Sequence, residues 1–413
     1  MSVAQHEVQL LNYVGGAWTR SSAREHAPVH NPATGEVIAR VPLSDVACGA
    51  EAVQAAAAAF PDWRDTPVGE RVQHLFRFKA LLEENLEQLA RTIVEECGKT
   101  YAEAAGEMRR GIDIVEVACG APMLMQGYNN EDIARGIDEH MFRQPLGVVA
   151  AITPFNFPGM IPLWFLPYAV ATGNCFILKP SERVPLTTQL IFRLLEEAGF
   201  PAGVVGLVNG GKETVDALLD HELVRAVSFV GSTPVARYVY SRATANGKRA
   251  QCQGGAKNPA VILPDADLPM TTKILADSAF GCAGQRCLAT SVAITVGEAR
   301  GPATEMIAQA ASERRVGYGL DDGVEMGPVI SGASRERISG LIDMGVAEGA
   351  RALVDGRERT VDGFANGYFL HPTVLDDVNP QGELAQTEIF GPVLSLMHAD
   401  TIDEAIELVN DRR

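Results

Sequence analysis

Cys287 closes the run Gly281-Cys-Ala-Gly-Gln-Arg-Cys287, a glycine-rich turn that follows a predicted helix and sets Arg286 beside the sulfur. A neighbouring cation favours the thiolate, which is the nucleophilic form, so the segment suits covalent attack on an electrophilic carbon. Two other uses stay open on residue type alone. A free cysteine is commonly a small buried apolar residue, and Cys282 with Cys287 could supply two metal thiolates. No second Cys or His pair lies nearby to complete four ligands, so no metal is expected.

Three further segments carry polar groups at the ends of predicted strands. Thr153-Pro-Phe-Asn156-Phe-Pro158 places a primary amide where an open sheet collects ligands; the amide can donate to a developing oxyanion, or Asn156 can simply form a turn between prolines. Lys179-Pro-Ser-Glu182 puts a cation and a carboxylate three residues apart after the next strand. A carboxylate there can accept from both hydroxyls of a ribose and would repel a 2′-phosphate, which favours NAD over NADP; a solvated surface ion pair is the ordinary alternative. Gly231-Ser232-Thr233 joins a strand to a helix, where amide groups can receive a phosphate, although it has neither the G-x-G-x-x-G form nor the Walker lysine. An unspecialised turn also explains it.

The elements that must position these groups follow from hydrophobic pattern. Asn31-Pro-Ala-Thr-Gly-Glu36 marks tight turns between short antiparallel strands. A helical block follows at 45–60, 67–96 and 101–118, the second with Pro67 near its first turn and Gly98 past its end. From Gly147 short apolar runs alternate with helices. Strands are predicted at 148–153, 175–178, 204–208 and 226–230, with helices at 160–171, 185–198 and 212–219, the pattern of a doubly wound nucleotide-type domain. A second alternation gives strands at 260–263, 291–296 and 393–397 and helices at 268–280, 304–314 and 334–348, with a last helix at 403–410. The fold class is therefore α/β, with two doubly wound domains, 1–254 and 255–413, joined near Gly254-Gly255.

Composition narrows the partners. The 413 residues predict more than one domain, and 35 Lys and Arg against 52 Asp and Glu leave a net charge of −17, which repels nucleic acid and anionic lipid. Seven scattered cysteines do not form a disulfide framework, so a reducing, cytoplasmic compartment is expected, and the amino terminus shows no export or transit pattern. No charge separates Arg143 from Lys179, but five prolines and two asparagines there argue against a membrane span.

Taken together, these segments resemble the aldehyde dehydrogenase superfamily, from Asn31-Pro-Ala-Thr-Gly-Glu36 to Glu388-Ile-Phe-Gly-Pro392. The resemblance implies that Cys287 attacks the aldehyde, that Asn156 helps bind the oxyanion, and that Lys179 and Glu182 hold the adenosine ribose of NAD. It also implies that Ser232 lies near the pyrophosphate, Thr153 and Phe155 line the cofactor channel, Arg183 sits beside the adenine site, and Glu388 orients the nicotinamide ribose. Hydrolytic members carry a general-base glutamate in E-L-G-G-K; here the run is Gln253-Gly-Gly-Ala-Lys257, in register 34 residues before Cys287. An amide cannot take a proton from water, so hydrolysis should be slow, whereas a thiol brings its own thiolate fraction.

That departure, with G-A-K-N, V-S-F-V-G-S-T-P, A-N-G-K-R and I-P-L-W-F, resembles the methylmalonate-semialdehyde dehydrogenase branch, the acylating enzymes of valine, β-alanine or inositol breakdown. The branch implies malonate or methylmalonate semialdehyde as substrate, loss of carbon dioxide, and coenzyme A as co-substrate. It implies that Arg110, in Gly106-Glu-Met-Arg-Arg-Gly-Ile112, and Arg286 grip the substrate carboxylate. The rival expectations are a hydrolytic aldehyde dehydrogenase and a catalytically silent chain that binds NAD or a partner. Relatives are expected to be homotetramers or dimers and to continue past Arg413, so a missing C-terminal part, an exposed sheet edge and altered assembly are expected.

Overall fold

Five short runs build the first sheet of the computed structural model, which describes residues 8–411. They are β1 (Val148–Ile152), β2 (Cys175–Lys179), β3 (Val205–Leu207), β4 (Val224–Val230) and β5 (Arg249–Gln253). β1, β2 and β3 are read as apolar runs because they are buried on both faces. All five are parallel, in the order β5-β4-β1-β2-β3, and the antiparallel pair Asn12–Val14 and Ala17–Thr19 extends the β3 edge.

The order reverses between β1 and β4. Strands β2 and β3 are laid to one side of β1, then the chain returns to lay β4 and β5 on the other, which opens a crevice at the carboxyl ends of β1 and β4. Helix Met160–Ala171 connects β1 to β2, Pro185–Glu197 connects β2 to β3, and Lys212–Asp220 connects β3 to β4.

The second sheet contains β6 (Asn258–Ile262), β7 (Thr290–Val296), β8 (Arg351–Val354), β9 (Thr373–Asp376) and β10 (Val393–Ala399). Its order is β6-β7-β10-β9-β8, parallel except for the β8–β9 pair. Ile294, Leu394, Leu396, Val374 and Phe280 form its wholly buried centre. Helix Leu268–Phe280 joins β6 to the loop that precedes β7, with Asp267 accepting from the Met270 amide as its N-cap.

By contact the chain divides into two units. The first holds residues up to 30, 37–96 and 104–254; the second holds 31–36, 97–103 and 255 onward. Sequence continuity assigned 31–36 and 97–103 to the first domain. They group with the second because their backbones are bonded there: Tyr368 N–H donates to Pro32 O at 2.8 Å and Tyr101 N–H to Gly319 O at 2.9 Å.

Two helical expectations differ in detail. Helix Val46–Asp65 runs through Pro61 rather than stopping at Phe60, and the predicted 67–96 helix is two, Val68–Glu84 and Leu86–Cys97. The break is at Asn85, whose side chain donates to Leu81 O at 2.8 Å and so competes with the backbone ladder. No helix among the described residues is long and apolar enough to cross a membrane.

Candidate active site

In the first unit the groups singled out by sequence gather at the carboxyl edge of the sheet. Register pairs Phe229 with Ile152, Ile152 with Lys179 and Val230 with Gln253, so the loops after β1, β2, β4 and β5 leave side by side. Two bonds lace this edge: Thr153 N–H donates to Lys179 O at 3.1 Å, and Gly231 N–H to Gln253 O at 3.1 Å. Thr153 and Asn156 are buried, Phe155 is half-buried, and Ser232 and Gln253 are exposed. Ser232 is the N-cap of helix Thr233–Ala245 and spends no side-chain bond on the cap. The residue is exposed beside the helix start.

Lys179 is buried and its ammonium lies 3.3 Å from Glu182 Oε2. Burial pulls the lysine below its ordinary value, partly offset by Glu182. Burial pushes Glu182 upward, but Lys179, its hydrogen bonds and Arg183 outweigh that and hold it below the usual carboxylate range. Glu182 is thus kept as an ionised acceptor at a sheet edge. The exposed Arg183 guanidinium lies 5.7 Å from the centre of the Phe155 ring, so the loops after β1 and β2 also touch through a cation–π contact.

In the second unit the loop between helix Leu268–Phe280 and β7 is pinned from several sides. Cys282, Ala283 and Gly284 take consecutive left-handed conformations, with φ of 53°, 51° and 68°. Gln285 is buried; its amide donates to Cys282 O at 3.1 Å and its oxygen accepts from Ile330 N–H at 3.0 Å. Asn258, at the start of β6, donates to Cys287 O at 2.7 Å and Ala289 O at 3.0 Å. These bonds fix the backbone that carries Cys287.

Two cysteines compete for the role of nucleophile. Hydrogen bonding to the Cys97 thiol, with Lys99 and Arg286 nearby, outweighs burial and holds Cys282 below the ordinary thiol range. Yet Cys282 is buried at 3% exposure, and a sulfur sealed from solvent has no path to a substrate. Cys287 is half-exposed. Of the two sulfurs, Cys287 belongs to the more exposed residue.

A glutamate that sequence reasoning missed organises this loop. Glu103 Oε1 accepts from Cys282 N–H at 2.6 Å and from the Arg286 guanidinium at 2.7 Å. Arg286, read as a cation favouring the Cys287 thiolate, thus already holds a carboxylate. A second donor, Nη1, reaches Asp277 O at 3.5 Å. Glu103 lies 183 residues from Arg286, and no local pattern marks it.

Glu388 is half-buried in the segment leading to β10. Burial raises its carboxyl above the usual value, while the Ala256 amide, Lys257 and Arg337 pull it back. Arg337 in turn donates to Ile389 O. Gly284 and Gly391 tie the two loops together, since a Cβ on Gly284 would lie 2.0 Å from Gly391 O.

A family model described as the aldehyde dehydrogenase family matches residues 18–413. The chain belongs to that family. Among its relatives, "Malonate-semialdehyde dehydrogenase 1" of Geobacillus kaustophilus is 49% identical over 414 residues, covering 100% of this chain and 84% of the relative. A solved structure described as a methylmalonate-semialdehyde dehydrogenase from Sinorhizobium meliloti 1021, complexed with NAD, superposes with a TM-score of 0.97 at 43% identity, covering 99% of this chain and 83% of that one. Another, a methylmalonate-semialdehyde dehydrogenase from Oceanimonas doudoroffii, gives 0.96 at 45% identity, with 98% and 83% covered. In this aldehyde dehydrogenase Arg110 is exposed on helix Tyr101–Cys119, next to Arg109, which pairs with Glu83 at 3.6 Å.

Proposed function

We propose that this aldehyde dehydrogenase oxidises malonate or methylmalonate semialdehyde with NAD and hands the acyl group to coenzyme A, releasing carbon dioxide. Its full-length similarity to malonate- and methylmalonate-semialdehyde dehydrogenases supports the substrate class. The observation that carries the acylating reading is Gln253: an amide stands at the carboxyl edge of the sheet where a hydrolytic relative needs a carboxylate base.

The first unit fits a dinucleotide. It has the order-reversing crevice between β1 and β4, an ionised carboxylate at Glu182, and an exposed helix start at Ser232 whose amides suit a pyrophosphate. On this reading Lys179 and Glu182 hold the adenosine ribose, Thr153 and Phe155 line the channel, Arg183 flanks the adenine, and Glu388 orients the second ribose. When bound, NAD supplies the hydride acceptor.

The chain's own residues do the rest. Cys287 thiolate adds to the aldehyde carbon, and the Asn156 amide donates to the oxyanion that forms. Arg110 and the donors of Arg286 left over from Glu103 grip the β-carboxylate and fix which face of the aldehyde meets the sulfur. Once oxidised, the acyl group stays on Cys287 as a thioester, its β-carboxylate leaves as carbon dioxide, and the carbon that bore it takes up a proton from solvent. With Gln253 unable to activate water, the thiolate of coenzyme A removes it. Its partners are then the semialdehyde, coenzyme A and, as the resemblance implies, further copies of the chain, in the cytoplasm.

The test is NADH formation from each semialdehyde with and without coenzyme A, with products identified. Turnover that rises steeply on adding coenzyme A and yields acetyl- or propionyl-coenzyme A is expected. Equal rates without coenzyme A, with free acid as product, overturn the acylating reading.

A further inference from the structure

Helix Met160–Ala171 starts immediately after the loop that carries Asn156; Ile161 N–H donates to Phe157 O at 3.2 Å, but no local side chain caps the amides before it. Its N-cap is Gly159, without a side chain, and its first turn has no acidic residue. A remote carboxylate does the work instead. Glu107 Oε1, on helix Tyr101–Cys119, accepts from Gly159 N–H at 2.8 Å and Met160 N–H at 3.1 Å. The side chain is buried, and the approach is close: a Cβ on Gly159 would lie 2.2 Å from Met108 Sδ.

The same device recurs after β2. Helix Pro185–Glu197 follows the loop that carries Glu182 and Arg183, and it too has neither a side-chain cap nor a first-turn acid. Glu96, fully buried at the end of helix Leu86–Cys97, accepts from Leu186 N–H at 2.7 Å and Thr187 N–H at 2.9 Å.

A local Ser or Thr would cap either helix without burying a carboxyl group. The remote arrangement costs desolvation. What it adds is a fixed point: the end of each loop is tied to the helical block, 52 and 90 residues away in sequence. Oriented groups are sensitive to such anchoring, because a shift of ~1 Å can lower a rate about 100-fold.

We propose that Glu107 is a positioning residue for the Asn156 amide and that Glu96 is its counterpart for the Glu182 carboxylate, so that one sets the chemical step and the other cofactor affinity. The inference rests on the roles proposed above for Asn156 and Glu182.

The test compares Glu107→Leu, Glu107→Asp, Glu107→Gln, Glu96→Leu and Glu96→Asp in the full chain. It reads kcat, NAD dissociation by calorimetry, and backbone hydrogen exchange. Glu107→Leu should lower kcat about 100-fold while NAD affinity changes less than about twofold. Glu96→Leu should weaken NAD about tenfold, the loss of the buried hydrogen bonds that hold the end of the Glu182 loop, with kcat at saturation nearly kept. Glu107→Gln should keep most activity, because a single oxygen makes both bonds and the amide carbonyl can replace it.

Should the leucine variants fail to fold, the aspartates, which draw the carboxylate back by one methylene, are expected to show the same division in weaker form. Exchange should rise at 153–160 for Glu107 variants and at 180–188 for Glu96 variants. Equal losses of kcat and NAD affinity in both series, or exchange rising evenly across the unit, overturn the proposal. A wild-type chain indifferent to coenzyme A would overturn the acylating function and leave the exchange result to decide this inference alone.

Discussion

At the scale of single residues, two substitutions separate the chemistry of capture from that of release. Cys287→Ala should lower turnover by about 10⁴-fold or more, as loss of a covalent nucleophile does, whereas Cys282→Ala should leave Cys287 reactive. Alkylation by iodoacetamide at neutral pH, mapped by mass spectrometry, checks the assignment: labelling at Cys282 ahead of Cys287 would mean that a lowered thiol counts for more than access. Gln253→Glu restores a carboxylate base at an exposed strand end. A gain of coenzyme-independent acid formation is expected, measured as free acid per NADH; an unchanged product ratio would place the control of deacylation elsewhere. The candidate site was legible where chemistry is local. Cys287, Asn156, Lys179 and Glu182 sit in short motifs, and each lies at a strand end or loop. Glu103, Glu96 and Glu107 were not legible, because their partners are 52 to 183 residues away and a buried acid looks like any helical glutamate in sequence.

At the scale of elements, strands with continuous apolar runs are legible, whereas β9 (Thr373–Asp376), buried throughout, is not, because only Val374 and Leu375 of its four residues are apolar. β1 and β2 are continuous apolar runs, and helices Met160–Ala171 and Leu268–Phe280 begin and end where their prolines and glycines predict. Strands without such runs were missed. β5 reads Arg-Ala-Gln-Cys-Gln and alternates exposed with half-buried, as an edge strand does, and the hairpin Asn129–Ala134 with Ile137–His140 is exposed throughout. The loop between helix Leu268–Phe280 and β7 depends on a close backbone approach. Gly284→Ala adds a methyl group to a residue at φ of 68° and drives it into Gly391 O, so a loss of at least about 2 kcal/mol is expected. Denaturant unfolding checks this, and NADH formation should fall in parallel because the same loop bears Cys287. A variant as stable and active as the parent would mean that the two loops are not tied at this point.

At the scale of the whole molecule, two buried titratable groups give the units opposite responses to pH. Burial pushes Glu96 in the first unit from 4.5 to about 8, against the pull of the Thr187 and Leu186 bonds. The folded state then binds this proton more tightly than the unfolded chain, so its stabilisation is complete below about 4.5 and is lost as pH rises towards 8. In the second unit burial, reinforced by Arg359, pushes His371 down from 6.5 to about 4. Here the unfolded chain binds the proton more tightly, so stabilisation is complete above 6.5 and is lost as pH falls towards 4. Hydrogen exchange corrected for its intrinsic pH dependence should show protection around 185–187 weakening with rising pH and protection around 370–376 weakening with falling pH. Glu96→Gln should flatten the first slope alone and His371→Asn the second alone. Parallel slopes in both units would show that neither buried group governs its surroundings.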